Sequence, residues 1–192
     1  METGILNKVE IIKNKVFINN KLDFEFKPDD NFLVSKFLKS IYKNYNIKYP
    51  KYFKMDNLSK LGFLSAEILL KGVDISNYKS EDIAQIYINS EATFETDAKF
   101  YETIKDPGNF FPSPAIFVYT LPNIMMGEIS IRNGFKGENT FYVSESFDKD
   151  FLLDSVSILF KNTKTTACLA GWIDLTKYDL HSEIYFISAK TN

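Results

Sequence analysis

The chain has 192 residues, 45% apolar and 25% charged, an ordinary globular usage that excludes extensive disorder. Lys and Arg (23) nearly cancel Asp and Glu (25), and a net charge of −2 supplies no global field for nucleic acid or anionic lipid. One cysteine, Cys168, excludes an intrachain disulfide, and one histidine, His181, excludes every motif that needs two imidazoles.

In chain order, residues 9–19 alternate loosely and predict extended structure, with a hairpin about Lys13–Asn14. Asp30 is placed to cap a helix whose Leu33, Phe37 and Ile41 share one face, and Pro50 sets its limit. Asp56 or Asn57 caps the next helix, with Leu58, Leu61, Ile68 and Leu69 as its buried stripe and Gly72 as its stop. Residues 83–88 predict a short strand and 91–104 a helix. Pro107, Gly108, Pro112 and Pro114 then mark a rigid loop. Ile124, Met125, Glu128, Ile129 and Arg132 fit a helix closed by Gly134. Residues 140–143 predict a strand. The helix over 147–160 turns Leu152, Ser155, Val156 and Leu159 inward. Two more strands, 165–172 and 183–188, complete a β-α-β-α-β-α-β-β order, which implies a three-layer α/β domain over residues 1–192. No signal-peptide pattern and no run of about 18 apolar residues is present, so a soluble cytoplasmic protein is expected, with no nucleic-acid or membrane partner.

Three irregular segments stand apart: Ser113-Pro114-Ala115-Ile116-Phe117 with Leu121-Pro122-Asn123, then Gly134-Phe135-Lys136-Gly137-Glu138-Asn139-Thr140, then Ala170-Gly171. Singly, each is ordinary loop punctuation. Together with Lys54-Met55-Asp56, their order and spacing resemble the N-terminal half of the β-ketoacyl-acyl-carrier-protein synthases, condensing enzymes of the thiolase superfamily, over roughly residues 52–174. That family carries Met-Asp before an alanine-rich helix, Ser-Pro and Pro-Asn before another, a Gly-x-x-Gly-Pro-Asn-Thr turn, and a later Ala-Gly-Gly strand. The resemblance implies a five-stranded mixed sheet between helical layers, strand order 3-2-1-4-5, the last strand antiparallel. The five strands would be those near Val16, Ile86, Tyr142, Leu169 and Tyr185.

The resemblance breaks at the nucleophile. Family members place a cysteine at the start of the helix after the third strand, where the helix N-terminus lowers the thiol pKa and backbone N–H groups form an oxyanion hole. Spacing from both flanking motifs puts Ser146 there. A hydroxyl needs an adjacent base, and Glu145 beside it points elsewhere on an extended chain. Asp148 reads as a first-turn acid, Cys168 as a small core residue of a strand, and His181 as a surface or edge imidazole ahead of the last strand. The synthases complete their site with histidines, or a histidine and an asparagine, and a lysine from a C-terminal half, and His181 matches none of these. Glu138 replaces the turn's proline.

Two readings remain open. One is a non-condensing partner subunit, akin to a chain-length factor, in a fatty-acid, polyketide, aryl-polyene or flexirubin-type pathway. The other is an acyltransferase or thioesterase with Ser146 as nucleophile and groups from another chain. Either implies no cofactor and no metal. Expected partners are a second copy or a full-length ketosynthase, together with acyl carrier protein. Residues 140–143 would form an unguarded apolar sheet edge suited to pairing across such an interface.

Overall fold

A computed structural model describes residues 3–28, 33–108, 110–176 and 179–189. The chain starts with a meander of β1 (Thr3–Ile12), β2 (Lys15–Ile18) and β3 (Lys21–Glu25). The first turn falls at Lys13–Asn14 as expected, with Lys13 left-handed at φ 56°. Asn19 and Asn20 take φ 50° and 65°, the backbone that a two-residue hairpin turn demands and asparagine tolerates. That second turn produces β3, which the alternation alone did not reveal.

Helix α1 (Val34–Asn44) buries Phe37, Leu38 and Ile41. Its expected cap, Asp30, lies outside the described residues. Leu33, expected on the buried face, is instead the N-cap and half exposed, because the helix begins only after it. Helix α2 (Asn57–Lys71) follows the expectation closely: the Asp56 carboxylate accepts the Ser59 N–H at 2.9 Å, the leucine stripe is buried, and Gly72 is the C-cap. It is buried on nearly every side, since it lies between the sheet, α1 and α5 (Asn123–Asn133). Gly62 permits the α5 approach, because a Cβ there would sit 2.1 Å from Met125 Sδ.

Strand β4 (Ile83–Asn89) leads to α3 (Phe94–Glu102), shorter than the expected 91–104. The reason is local. Asn89 Oδ1 accepts the Ala92 N–H at 2.9 Å and Ala92 takes φ 50°, a closed turn that delays the helix. A short α4 (Pro114–Phe117) follows the proline-rich loop. Gly134, left-handed at φ 73°, closes α5. Then come β5 (Asn139–Val143), α6 (Lys149–Asn162), β6 (Ala167–Leu175) and β7 (Leu180–Ala189). The α6 stripe is Leu152, Val156 and Phe160, an i, i+4, i+8 row; Ser155 and Leu159, expected inward, are only half-buried beside it.

Among the described residues the mixed sheet has seven strands, not five, in the order β3-β2-β1-β7-β6-β4-β5. The expected order put the first strand between those of Ile86 and Leu169. Instead β4 pairs directly and in parallel with β6, from Ile83 opposite Ala167 to Ile88 opposite Trp172. β1 lies beyond β7 and pairs antiparallel with it. Alternation accounts for the difference: Lys8 and Glu10 on one face of β1 suit a part of the sheet where that face is partly open to water, whereas β4 is buried at all seven positions. The last strand, β7, is antiparallel to both neighbours, as expected.

Helices α1, α2 and α5 join one face of the sheet in a core that includes Val9, Leu64, Met125 and Phe186. On the other face α6 packs Leu152, Val156 and Phe160 on Ile86, Ala170, Trp172 and Ile187. Gly171 is fixed by this geometry. A Cβ there would lie 2.2 Å from the Glu183 carbonyl oxygen and 2.6 Å from Ile184 Cα. Gly137 is fixed likewise, since its Cβ would lie 2.1 Å from the Ile83 carbonyl oxygen.

Candidate functional site

The parallel strands β4, β5 and β6 end together, and open α/β sheets bind ligands at such carboxyl ends. The three ends are tied into one crest. Ser90, just past β4, donates from its backbone N–H at 2.9 Å and its hydroxyl at 2.8 Å to Asp174 Oδ1 on β6. The Ser144 N–H donates to the Asn89 carbonyl at 2.9 Å, which extends the β4–β5 pairing by one step.

Beyond Ser144 the chain turns through Glu145, Ser146 and Phe147 into α6. Ser146 is exposed, two residues ahead of the N-cap Asp148, and no described group hydrogen-bonds its hydroxyl. Glu145 is exposed as well. The helix N-terminus is already served by its own acid: Asp148 Oδ1 accepts the Phe151 N–H at 2.9 Å. Phe147 anchors the turn, its ring 5.8 Å from that of Trp172. A cavity of about 290 Å³ opens beside the turn, between Ile88, Tyr142, Val143, Ser144, Asp148 and Phe151. A larger cleft of about 760 Å³ lies beside α3, floored by Phe94, Ala98 and Leu175 and rimmed by Glu91, Glu95 and Glu102. Ser146 lines neither.

Cys168 sits low on β6 and fully buried, opposite Ala84 and Ile187; burial pushes its thiol far above the usual range, so it holds no thiolate. His181 is neither ahead of the last strand nor at an edge. It lies within β7, between β6 and β1, because β7 starts at Leu180 and the N-terminal meander adds strands beyond it. Its Nε2 is 3.6 Å from Glu10 Oε1. Sequence reasoning missed this neighbourhood, since only the β1–β7 register brings Glu10, His181 and Glu183 together.

Among the described residues β5 pairs on one side only, at the edge of the sheet. Tyr142 is 36% and Val143 58% exposed, and the Tyr142 ring meets Phe151 of α6 edge-on at 5.2 Å. The expected apolar edge is present.

No protein-family model and no curated protein matches the sequence. Solved structures do match the fold. The chain aligns over 97% of its length with the ishigamide ketosynthase/chain length factor, at TM-score 0.69 and 12% identity, and spans 62% of that chain. It aligns over its whole length with a chain of the ketosynthase ApeO in complex with its chain length factor ApeC from Xenorhabdus doucetiae, at TM-score 0.62 and 10% identity, spanning 81% of that chain. A β-ketoacyl synthase from Burkholderia phymatum STM815 matches over 98% of this chain and 59% of its own, at TM-score 0.60 and 11% identity. The described residues contain no helix long and apolar enough to cross a membrane. The protein has a ketosynthase-like fold of the thiolase type.

Proposed function

We propose that this chain is a non-condensing partner subunit of a ketosynthase, chain-length-factor-like in role, in a polyketide, fatty-acid or aryl-polyene-type pathway. The observation that carries the reading is Ser146. The turn where the resemblance places a cysteine holds an exposed hydroxyl with no hydrogen-bonded base, and a helix N-terminus alone does not ionise a hydroxyl. The likeness to chains of ketosynthase–chain length factor pairs supports the choice of partner. The β5 edge supplies the surface: an unpaired ladder with Tyr142 and Val143 exposed beside Phe151 of α6. A strand pair with a flanking helix can bury the roughly 1,000 Å² that a specific interface needs.

The test is co-purification from native lysate followed by assay. A full-length ketosynthase should accompany the protein, and Val143→Pro, which deletes a ladder donor on the outward side of β5, should release it. Purified alone, the 192-residue chain should form no condensation product from an acyl donor and a malonyl carrier, and Ser146→Cys should form none either. Product from either form overturns the partner reading. A stoichiometric acyl adduct on Ser146 would establish the acyltransferase or thioesterase reading in its place.

A further inference from the structure

Glu10, His181 and Glu183 stand on one face of the β1–β7 pair. Glu10 lies opposite Glu183, and Ile12 opposite His181, so alternation places two carboxylates and one imidazole on neighbouring positions of the face that carries Tyr185. One ligand atom from each lies within 4.8 Å of the others. All three side chains are partly buried, 17–27% exposed, so water reaches the cluster from one side. His181 Nε2 is itself shut off from solvent, has no hydrogen-bond partner among the described residues, and faces Glu10 Oε1 at 3.6 Å. A shielded ring nitrogen left unpaired is costly, and in its unprotonated form it can be satisfied by a hydrogen-bond donor or a cation.

We propose that these residues bind a divalent transition-metal cation of the Zn²⁺ type through His181 Nε2 and one oxygen each from Glu10 and Glu183, water completing the coordination. One imidazole with two carboxylates and an open position suits zinc-like ions. The Tyr185 hydroxyl hydrogen-bonds Glu183 and orients it from behind, the outer-shell support that metal ligands usually have. Lys8 supplies the resident positive charge, with Nζ 2.8 Å from Glu183 and 3.3 Å from Glu10. It also has somewhere to go, because Nζ already donates to Asn20 Oδ1 at 3.0 Å on the β2–β3 turn. The metal therefore competes with an ammonium that can swing aside. Asp174 faces His181 from β6, but its Oδ1 is held by Ser90.

The inference is independent of the partner reading. Untagged, metal-stripped full-length chain is titrated with ZnCl₂ by calorimetry and with CoCl₂ by visible absorption. The expected result is one equivalent bound with a Kd of about 10 μM or tighter. Glu10→Gln and His181→Gln should each weaken binding about tenfold or more, and Lys8→Met should tighten it by removing the competitor. No stoichiometric binding by the wild type up to about 1 mM, or wild-type affinity in folded His181→Gln, overturns the site. If His181→Gln does not fold, Lys8→Met decides: unchanged or weaker binding there also overturns it.

Discussion

The two halves of the sheet meet where β6 pairs with β7, and they are built differently. In the parallel half, β4 is buried at every position and β6 at all but one, because helices cover both faces. Polar groups survive there mainly at strand ends, which is why Ser90, Asp174 and Ser144 gather at one crest. In the antiparallel half the strands alternate. Val9, Ile11, Ile184 and Phe186 face α1 and α2, while Lys8, Glu10, His181 and Glu183 collect on the opposite side. Coverage on one face or two thus decides whether polar chemistry appears at the end of a strand or along it.

The harshest test of the junction is Gly171→Val. The added atoms meet the Glu183 carbonyl and Ile184 Cα, both backbone, so no rotamer change relieves them. Folding should fail or weaken by about 3 kcal/mol or more in urea unfolding. A native-like midpoint would mean that β7 moves freely against β6. Next in size, Phe160→Ala empties a fully packed position under α6 and should cost about 3–5 kcal/mol. Phe17→Ala on half-buried β2 should cost about 1–2 kcal/mol. Equal losses would erase the distinction between the halves.

Cys168 and Glu183 should respond at opposite ends of the pH range. In the parallel half, burial pushes Cys168 and Tyr87 far above their ordinary values. A raised folded pKa means that the unfolded chain releases its proton first, so stability is complete below the unfolded thiol value near 8.5 and declines as pH rises past it. In the antiparallel half, burial acts to raise the Glu183 carboxyl, but hydrogen bonds from Lys8 and Tyr185 and the Lys8 charge outweigh it and hold it low. Its contribution is present above the unfolded carboxylate value near 4.3 and is lost as pH falls. Denaturation midpoints across the pH range should show Cys168→Ala blunting the alkaline limb and leaving the acid limb unchanged. Glu183→Gln should blunt the acid limb and also lower the alkaline one through Lys8 and Tyr185, whose protons Glu183 helps to hold.

Legibility divides along the same line. Alternating apolar runs, the Asp56 cap, the Gly72 and Gly134 stops and the crossover helices are local signals, and the parallel half follows from them. The glycine motifs were legible as a fold resemblance, and their cause lies in backbone contacts at Gly137 and Gly171. The strand order was not legible, because the β1–β7 pairing joins opposite ends of the chain and either edge of the sheet satisfies the same alternation. Ser146 was placed by spacing alone, and the structure sets it in the turn before α6. The cluster about His181 had no sequence signature: three polar residues in alternating strands look like solvated positions until the register is known.

The smallest expected effect separates the two edges. Leu22 on β3 and Val143 on β5 occupy the outermost strands and are 53% and 58% exposed. Lysine at either position adds a charge where water already reaches, so each variant should keep its unfolding free energy within about 0.5 kcal/mol of the wild type. Association should distinguish them. β5 presents Tyr142 and Val143 beside Phe151 in one apolar strip, whereas β3 is flanked by Lys21, Asp23 and Glu25, charges that guard an edge. In light scattering of the complex with the co-purified ketosynthase, Leu22→Lys should leave the particle mass unchanged and Val143→Lys should shift it toward the free chains. Loss of association in Leu22→Lys alone would transfer the interface to β3, and with it the claim that the parallel half faces the partner.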